Sequence, residues 1–464
     1  MGNRFKLRQF LPLIIGLIGI ISIVVVIPAA VRYVGRAAGV KANLVVDYDG
    51  VLGQMPTPWR NLAQGGEEPK AMLGDVILEV KALKPEYIRL DHIYDAFNVV
   101  TKEGGQLKYN WSGLDVAVDQ IIATGAKPML ALSYMPVAIS KTGSIIDQPA
   151  DWNDWGSVVA ETVEHYSGKN NKNLTGVIYE VWNEPDLFGS YKTYGDKNYL
   201  TMYQVSARAA ARVSNVNSFE IGGAAVTALY QNWLERLIKF VDANNLRLDF
   251  MSWHRYSTDI ERFEKDANTA RGWAARIPAL INLKFYVTEW GHDSANEAGY
   301  DTKFGAIHTL AASRVMMAKI QRAFVFEIKD GPGNEKFWGR WGILTHEKFG
   351  VPEKKPRYQA LLFLNTLGPF RISLAGEGSW VKGIASTDNN GNISLMVVNY
   401  DAAGTHSEAV SIFFDNLPKG NFRYQRRNFL GSAIAAVQVA TTAASWKTTE
   451  FFAPNSAAMI TLDF

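Results

Sequence analysis

The chain has no cysteine, which excludes disulfides, thiolate metal sites and cysteine nucleophiles together. Its seven histidines are scattered, and no His-Glu-x-x-His pair sets two of them on one helix face as a zinc protease requires. A phosphate-cradling Gly-x-x-x-x-Gly-Lys-Ser/Thr loop is also missing, so nucleotide hydrolysis has no support. Charge of one sign is scarce: 48 Lys plus Arg stand against 45 Asp plus Glu, a net +3. With no basic block beyond the N-terminus, nucleic acid is not an expected partner. No metal site and no cofactor is expected either, so the chemistry should rest on side chains alone.

One long hydrophobic run is present. Residues 1–9 carry Arg4, Lys6 and Arg8, and no residue from Phe10 to Val31 is charged. That length suits a helix crossing roughly 30 Å of hydrocarbon. A cleaved signal peptide ending near Pro28-Ala-Ala is the competing reading, but signal cores run to about 7–15 residues. The expectation is therefore a basic cytoplasmic head at 1–9 and a transmembrane anchor at 10–34, with the lipid bilayer as partner. A short basic head normally stays inside and sends a large C-terminal domain out. The expected location is the cell membrane, single-pass, with the folded domain outside the cytoplasm.

At 464 residues the chain is long enough for one large domain and a smaller one. Between about residues 85 and 328, strand-like runs alternate with amphipathic helical ones. Tyr87–Asp91, Pro128–Tyr134, Val177–Trp182, Phe219–Gly223, Phe250–Trp253, Phe285–Thr288 and Ala323–Ile328 read as strands. An earlier strand between Ala42 and Met55 would bring the number to eight. This alternation predicts a (β/α)8 TIM barrel over 35–368. Past Leu367 the pattern shifts to short strands, such as Ile393–Asn399 and Val410–Phe414, separated by Asn, Gly and Asp. That predicts a C-terminal β-sandwich domain over 369–464, packed on the barrel.

Two of the strands end on a glutamate. Gly176-Val-Ile-Tyr-Glu-Val-Trp-Asn-Glu184-Pro meets a proline, and Leu283-Lys-Phe-Tyr-Val-Thr-Glu289-Trp-Gly meets a glycine. Either glutamate alone reads as a solvated loop residue. Together, at the mouth of one barrel, two carboxylates are the minimal equipment for cleaving a glycosidic bond. Trp182, Asn183 and Glu184 in one turn supply a flat ring, an amide and a carboxyl, which can stack a sugar, hold a hydroxyl and move a proton. Trp290 repeats the aromatic next to Glu289. By strand alternation, Glu180 should share a face with Trp182 and Glu184.

The ordered set of motifs resembles glycoside hydrolase family 39, in the clan of retaining (β/α)8 glycosidases. Tyr87-Ile-Arg89-Leu resembles the second barrel strand, Leu130-Ala-Leu-Ser-Tyr134-Met-Pro the third, and Glu180-Val-Trp-Asn-Glu-Pro185 the acid/base motif. Asp249-Phe-Met-Ser-Trp-His254-Arg-Tyr256 resembles strand six, and Tyr286-Val-Thr-Glu289-Trp the nucleophile motif. The resemblance implies Glu289 as nucleophile and Glu184 as general acid/base, with the two carboxyl groups about 5–5.5 Å apart. An ionised Glu289 would then hold Glu184 protonated. Arg89, Asp91, Tyr134, Trp182, Asn183, His254, Tyr256 and Trp290 are the expected substrate-binding residues. Trp253 is a further candidate for stacking. Asp293, Glu327 and Asp330 would contact substrate or cap loops. The chain departs from the family at Asp91, where xylosidases and iduronidases tend to carry histidine. The implied activity is retaining hydrolysis of an oligo- or polysaccharide, with an exo-acting xylosidase or a non-catalytic sugar-binding protein as alternatives.

Overall fold

Strands and helices alternate along most of the chain. The computed structural model describes residues 39–464. The basic head at 1–9 and the whole of the anchor at 10–34 lie outside the described residues. Among the described residues, no helix is long and apolar enough to cross a membrane.

The first eleven strands are β1 (Asn43–Gln54), β2 (Asn61–Gln64), β3 (Tyr87–Leu90), β4 (Val100–Glu103), β5 (Gln106–Tyr109), β6 (Lys127–Leu132), β7 (Val177–Val181), β8 (Phe219–Val226), β9 (Phe250–Tyr256), β10 (Lys284–Gly291) and β11 (Arg322–Phe326). β2, β3 and β6 through β11 close into a barrel in that cyclic order, with every neighbouring pair parallel. A helix follows each barrel strand: α1 (Ile77–Ala82), α2 (Ser112–Ala123), α3 (Trp152–Ser167), α4 (Tyr199–Arg212), α5 (Gln231–Ala243), α6 (Glu261–Ala274), α7 (Lys303–Met316) and α8 (Pro356–Leu364). This is the expected (β/α)8 barrel. β4 and β5 form a side hairpin closed by Gly104 and Gly105, both at positive φ (55° and 82°), as a tight two-residue turn requires.

Local chemistry sets the helix ends. Asp151 accepts from the Asn153 amide at 2.8 Å to open α3, Asn198 does the same for α4, and Pro356 occupies the first position of α8. On α3 the buried residues Trp155, Val158, Val159, Thr162, Val163 and Tyr166 recur at helical spacing and face the strands. Inside the barrel, Ala63, Tyr87, Met129, Ile178, Phe250, Tyr286 and Phe324 make an apolar floor. Further along the same strands come buried Arg89, Glu180 and His254. The polar layer thus lies toward the C-terminal ends of the strands, where barrels of this kind place their chemistry.

The expected first barrel strand was misplaced. β1 leaves the barrel and joins the second domain, pairing antiparallel with β12 (Phe370–Ala375) and parallel with β15 (Glu408–Asp415). Its alternating Leu44 and Val46 are buried in that domain's own core. The true first strand, β2, is four residues long with polar ends, yet all four are buried. The boundary at 35–368 therefore does not separate the domains cleanly, because the segment at 43–54 belongs to the second one.

That second domain adds β13 (Val381–Thr387), β14 (Ile393–Asn399), β16 (Gly420–Asn428), β17 (Val437–Thr441), β18 (Trp446–Phe452) and β19 (Ser456–Asp463), making one nine-stranded sheet with β1, β12 and β15. The sheet folds over its core far enough for Tyr424 and Arg426 on β16 to reach Glu450 on β18, at 2.5 and 2.6 Å. It packs on α7 and on the loop after β9: Arg314 clamps Glu377 at 2.9 and 2.8 Å, and Tyr400 donates to the Thr258 carbonyl at 2.7 Å.

Candidate active site

β7 stops at Val181, and the backbone then turns left-handed at Trp182 (φ 72°) and Glu184 (φ 44°). The turn breaks strand alternation. Glu180 points into the barrel as expected, but the Trp182 ring swings into the layer between strands and helices, where it is fully buried. There its indole donates to the Phe188 carbonyl at 3.1 Å. Glu184 is held at the mouth, its amide donating to the Ala225 carbonyl at 3.0 Å.

Glu289 reaches the same mouth by another device. Opposite β9, Val287 pairs with Trp253 and Glu289 with His254, which leaves Thr288 as an extra, bulged residue. Without the bulge, Tyr286 and Thr288 would face inward and Glu289 outward. One inserted residue flips the parity and aims Glu289 into the barrel. It also turns Trp290 out, to pack edge-on against Phe263.

Arg89 lies beneath both motifs with 1% exposure. Its Nε donates to Glu180 at 2.7 Å, Nη1 to Glu289 Oε1 at 2.9 Å and Nη2 to Asn183 Oδ1 at 2.7 Å. Burial opposes the guanidinium charge, but Glu180, Glu289 and Asp91 outweigh it and hold the group protonated. Asn183 passes the network on by donating to the Tyr134 hydroxyl at 2.9 Å. On the other side of Glu289, Tyr256 donates to Oε2 at 3.1 Å. Burial, with the neighbouring Glu289, raises the Tyr256 phenol well above its usual range, so it remains a donor.

His254 sits between the two glutamates, with Nδ1 2.8 Å from Glu184 Oε1 and 3.4 Å from Glu289 Oε2. Burial disfavours its cation, yet Glu289 and Glu184 more than compensate and raise its pKa. Glu289 is itself pushed up to about 7, by burial first. The His254 and Arg89 cations pull it back, and Glu184 and Asp91 push it further up.

One carboxylate oxygen from each of Glu184 and Glu289 and a ring nitrogen of His254 lie within 4.8 Å of one another. Inverting glycosidases need about 6.5–9.5 Å between carboxyl groups to admit a water; retaining ones need about 5–5.5 Å. The same spacing, here and at Glu68, His346 and Glu347, could hold a cation. In the second cluster Lys70 and Lys329 already pair with Glu347, at 2.9 and 2.8 Å. In the first, Arg89 supplies the positive charge.

The pair opens into a cleft of about 850 Å³ lined in part by Asp91, His92, Tyr134, Asn183, Tyr256 and Trp341. Asp91 is 4% exposed, and its Oδ1 has no hydrogen-bond partner among the described residues. Burial disfavours the His92 cation, but its hydrogen bond to Asp95 and the charges of Asp91 and Asp95 lift its pKa to about 9. Of the expected substrate-binding residues, Asp91, Tyr134, Asn183 and Tyr256 line the cleft, while Arg89 and His254 lie directly behind the glutamates. Trp182 and Trp290, expected to stack sugars, do not. Both are buried core, as is Trp253. Asp293 caps its own loop through the Ala295 amide. Asp330 pairs with buried Lys355 at 2.6 Å. Glu327 is buried behind the wall formed by Phe326 and Trp341, where burial and the charge of Glu67 hold it well above the usual carboxyl range.

Among the cleft residues that the sequence did not single out are Glu67, Leu187, Phe188, Tyr230, Arg255 and Arg340. Glu67 follows Gly65-Gly66 at the end of the unrecognised strand β2, and that glycine pair was its available signal. Arg340 lies over the Trp341 ring at 3.7 Å and ion-pairs with Glu67.

An eight-stranded barrel with a close carboxylate pair at its mouth, backed by a buried arginine, defines a glycoside hydrolase of the two-carboxylate, retaining kind. Residues 71–411 match the profile of the family described as Glycosyl hydrolases family 39, and the chain belongs to that family. It is 26% identical over 393 residues to a β-xylosidase of Caldicellulosiruptor saccharolyticus, covering 77% of this chain and 79% of that one. It is 25% identical over 192 residues to a funoran endo-β-hydrolase of Wenyingzhuangia aestuarii, covering 36% of this chain and 25% of that one. In fold it is similar to a monomeric β-xylosidase from Caulobacter crescentus CB15, with a TM-score of 0.75 at 18% identity over 91% of this chain and 99% of that one.

Proposed function

We propose that Glu289 is the nucleophile and Glu184 the general acid/base of a retaining hydrolase acting on a cell-surface or secreted polysaccharide. The observation that carries the assignment of roles is the asymmetry of the pair. Glu289 accepts from Arg89 at 2.9 Å and Tyr256 at 3.1 Å, two donors that stabilise a carboxylate as it attacks or leaves. Glu184 lies closer to solvent, and the cation that pairs with it among the described residues is His254, at 2.8 Å. In the first step Glu289 bonds to the anomeric carbon while the bond to the leaving oxygen breaks, and Glu184 gives that oxygen its proton. In the second, water attacks the same carbon, Glu184 takes the water's proton, and Glu289 departs. His254, bridging both carboxyls, positions Glu184 and answers its change of charge. Asn183, oriented by Arg89 and Tyr134, faces the cleft with an amide suited to a sugar hydroxyl. The free Oδ1 of Asp91 suits a second hydroxyl, further from the scissile bond.

The test is proton NMR of the first-formed product. Retention of anomeric configuration supports the pair as assigned. Inversion overturns it.

The chain is further proposed to be tethered to the cell membrane through residues 10–34, with the barrel outside the cytoplasm. The uncharged stretch Phe10–Val31 behind a basic head supports this. Protease added to intact cells should then remove the catalytic domain. A soluble protein beginning near Ala30 would mean a cleaved signal instead. An exo-acting β-xylosidase is the second reading, favoured by the similarity to the Caldicellulosiruptor saccharolyticus β-xylosidase. Asp91 in place of histidine, and the open cleft, favour internal cleavage of a polymer.

A further inference from the structure

The cleft is not uniform. On the side of β3 and β11 its wall is polar, carrying Asp91, Glu67 and Arg340. On the side of β7 and β8 it is apolar and open. Leu187 is 58% exposed, Phe188 39% and Tyr230 43%, and all three line the same cleft as the two glutamates. Large side chains left in water beside a catalytic pair call for an occupant.

These residues are fixed to Glu184. The Leu187 and Phe188 amides both donate to the Glu184 carbonyl, at 2.9 and 2.7 Å. The Phe188 carbonyl receives the Trp182 indole at 3.1 Å, and the Phe188 ring meets Tyr134 edge-on at 5.6 Å. Tyr230 is joined from the next loop: Asp186 accepts from the Thr227 amide at 3.1 Å and from its hydroxyl, and that hydroxyl lies 3.3 Å from Tyr230 Oη. The two loops therefore form one surface, whose position relative to the Glu184 carboxyl is set by hydrogen bonds.

We propose that Leu187, Phe188 and Tyr230 form a binding shelf for a sugar ring on the leaving-group side of the scissile bond. The inference rests on the reading of Glu184 as the group that protonates the leaving oxygen, since whatever lies on its side of the cleft meets the departing portion of the substrate. The composition of the shelf selects a sugar over an alkyl chain. A pyranose has apolar C–H faces and a polar rim; here the apolar surfaces of Leu187, Phe188 and Tyr230 alternate with the polar groups of Asp186, Thr227 and the Tyr230 phenol. A purely apolar tail would take the Asp186 carboxylate and the Tyr230 phenol out of water and offer their remaining hydrogen-bonding capacity nothing in return. The shelf thus makes the substrate a chain of at least two sugars, with binding on the leaving side contributing to its turnover.

Three substrates sharing one β-linked glycon test this: the glycosyl fluoride, which has no leaving sugar, the disaccharide, and the octyl glycoside. Phe188→Ala and, separately, Tyr230→Ala should each lower the ratio of disaccharide to fluoride kcat/KM by about tenfold, the scale of losing one aromatic contact. Phe188→Leu, which keeps apolar packing beneath the ring, should lower the ratio too. An equal fall on all three substrates would mean damage to the fold or to the catalytic pair and would overturn the shelf. A selective fall on the octyl glycoside would assign the surface to an apolar tail and overturn the sugar. Unaltered protein inert toward the fluoride would instead overturn the hydrolytic reading beneath it.

Discussion

Replacing Glu289 by glutamine should abolish turnover and, above neutral pH, make the protein more stable. Glu289 is 6% exposed, and its pKa stands at about 7 against an ordinary 4.5. Burial is the largest cause, and the attraction of His254 and Arg89 does not offset it. Between pH 4.5 and 7 the folded protein keeps a proton that the unfolded chain has lost. The stability linked to that proton is fully present below about pH 4.5 and is lost as pH rises through 7. A shift of that size corresponds to roughly 3 kcal/mol. Glutamine is neutral at every pH and escapes the loss. His254, whose cation Glu289 helps to hold, gives part of the gain back, so about 3 kcal/mol is a ceiling. Urea unfolding followed by tryptophan fluorescence at pH 4.5 and pH 8 measures the difference. The variant's advantage should be larger at pH 8 than at pH 4.5 by 1–3 kcal/mol, on the order set by that shift. A difference that does not change with pH, or a variant that weakens relative to the parent as pH rises, would show that Arg89 and Tyr256 fully compensate the buried charge.

Other outcomes follow from the same geometry. On the acid side, kcat/KM should rise with pH as Glu289 ionises, with an apparent pKa near 7; because the His254 cation stabilises the Glu289 anion, His254→Gln should move it up, read from the pH–rate profile. Glu184→Ala should lose far more activity toward alkyl than toward dinitrophenyl leaving groups, and azide should restore part of it as a glycosyl azide seen by NMR. Arg89→Met should cost about 3–5 kcal/mol in urea unfolding, because Glu180 and Glu289 would lose their shared partner. Tyr256→Phe should leave the fold intact and slow turnover by about 10- to 100-fold, the worth of one hydrogen bond to a charged group.

The barrel was readable because most of its strands end in long amphipathic helices whose periodicity differs from their own. The failures have physical causes. Asn61–Gln64 is too short to show alternation and is strand only because its neighbours β3 and β11 pair with it. Asn43–Gln54 reads as a strand correctly, but which sheet it joins depends on partners more than 300 residues away. The glutamates were legible from the turn signals that follow them. The neighbouring tryptophans misled, because alternation fails where the chain turns left-handed at Trp182 and bulges at Thr288. Phe188 and Tyr230 left no pattern at all. They lie on loops, and only their exposure beside the cleft distinguishes them.

The most direct measurement is the site of covalent attachment. The protein should be inactivated by a dinitrophenyl 2-deoxy-2-fluoroglycoside of a sugar it accepts, then digested, and its peptides mapped by mass spectrometry. One fluorosugar ester on Glu289, with Glu184 unlabelled, is the predicted result. A label on Glu184, or complete turnover with no covalent species and an inverted product, would contradict it.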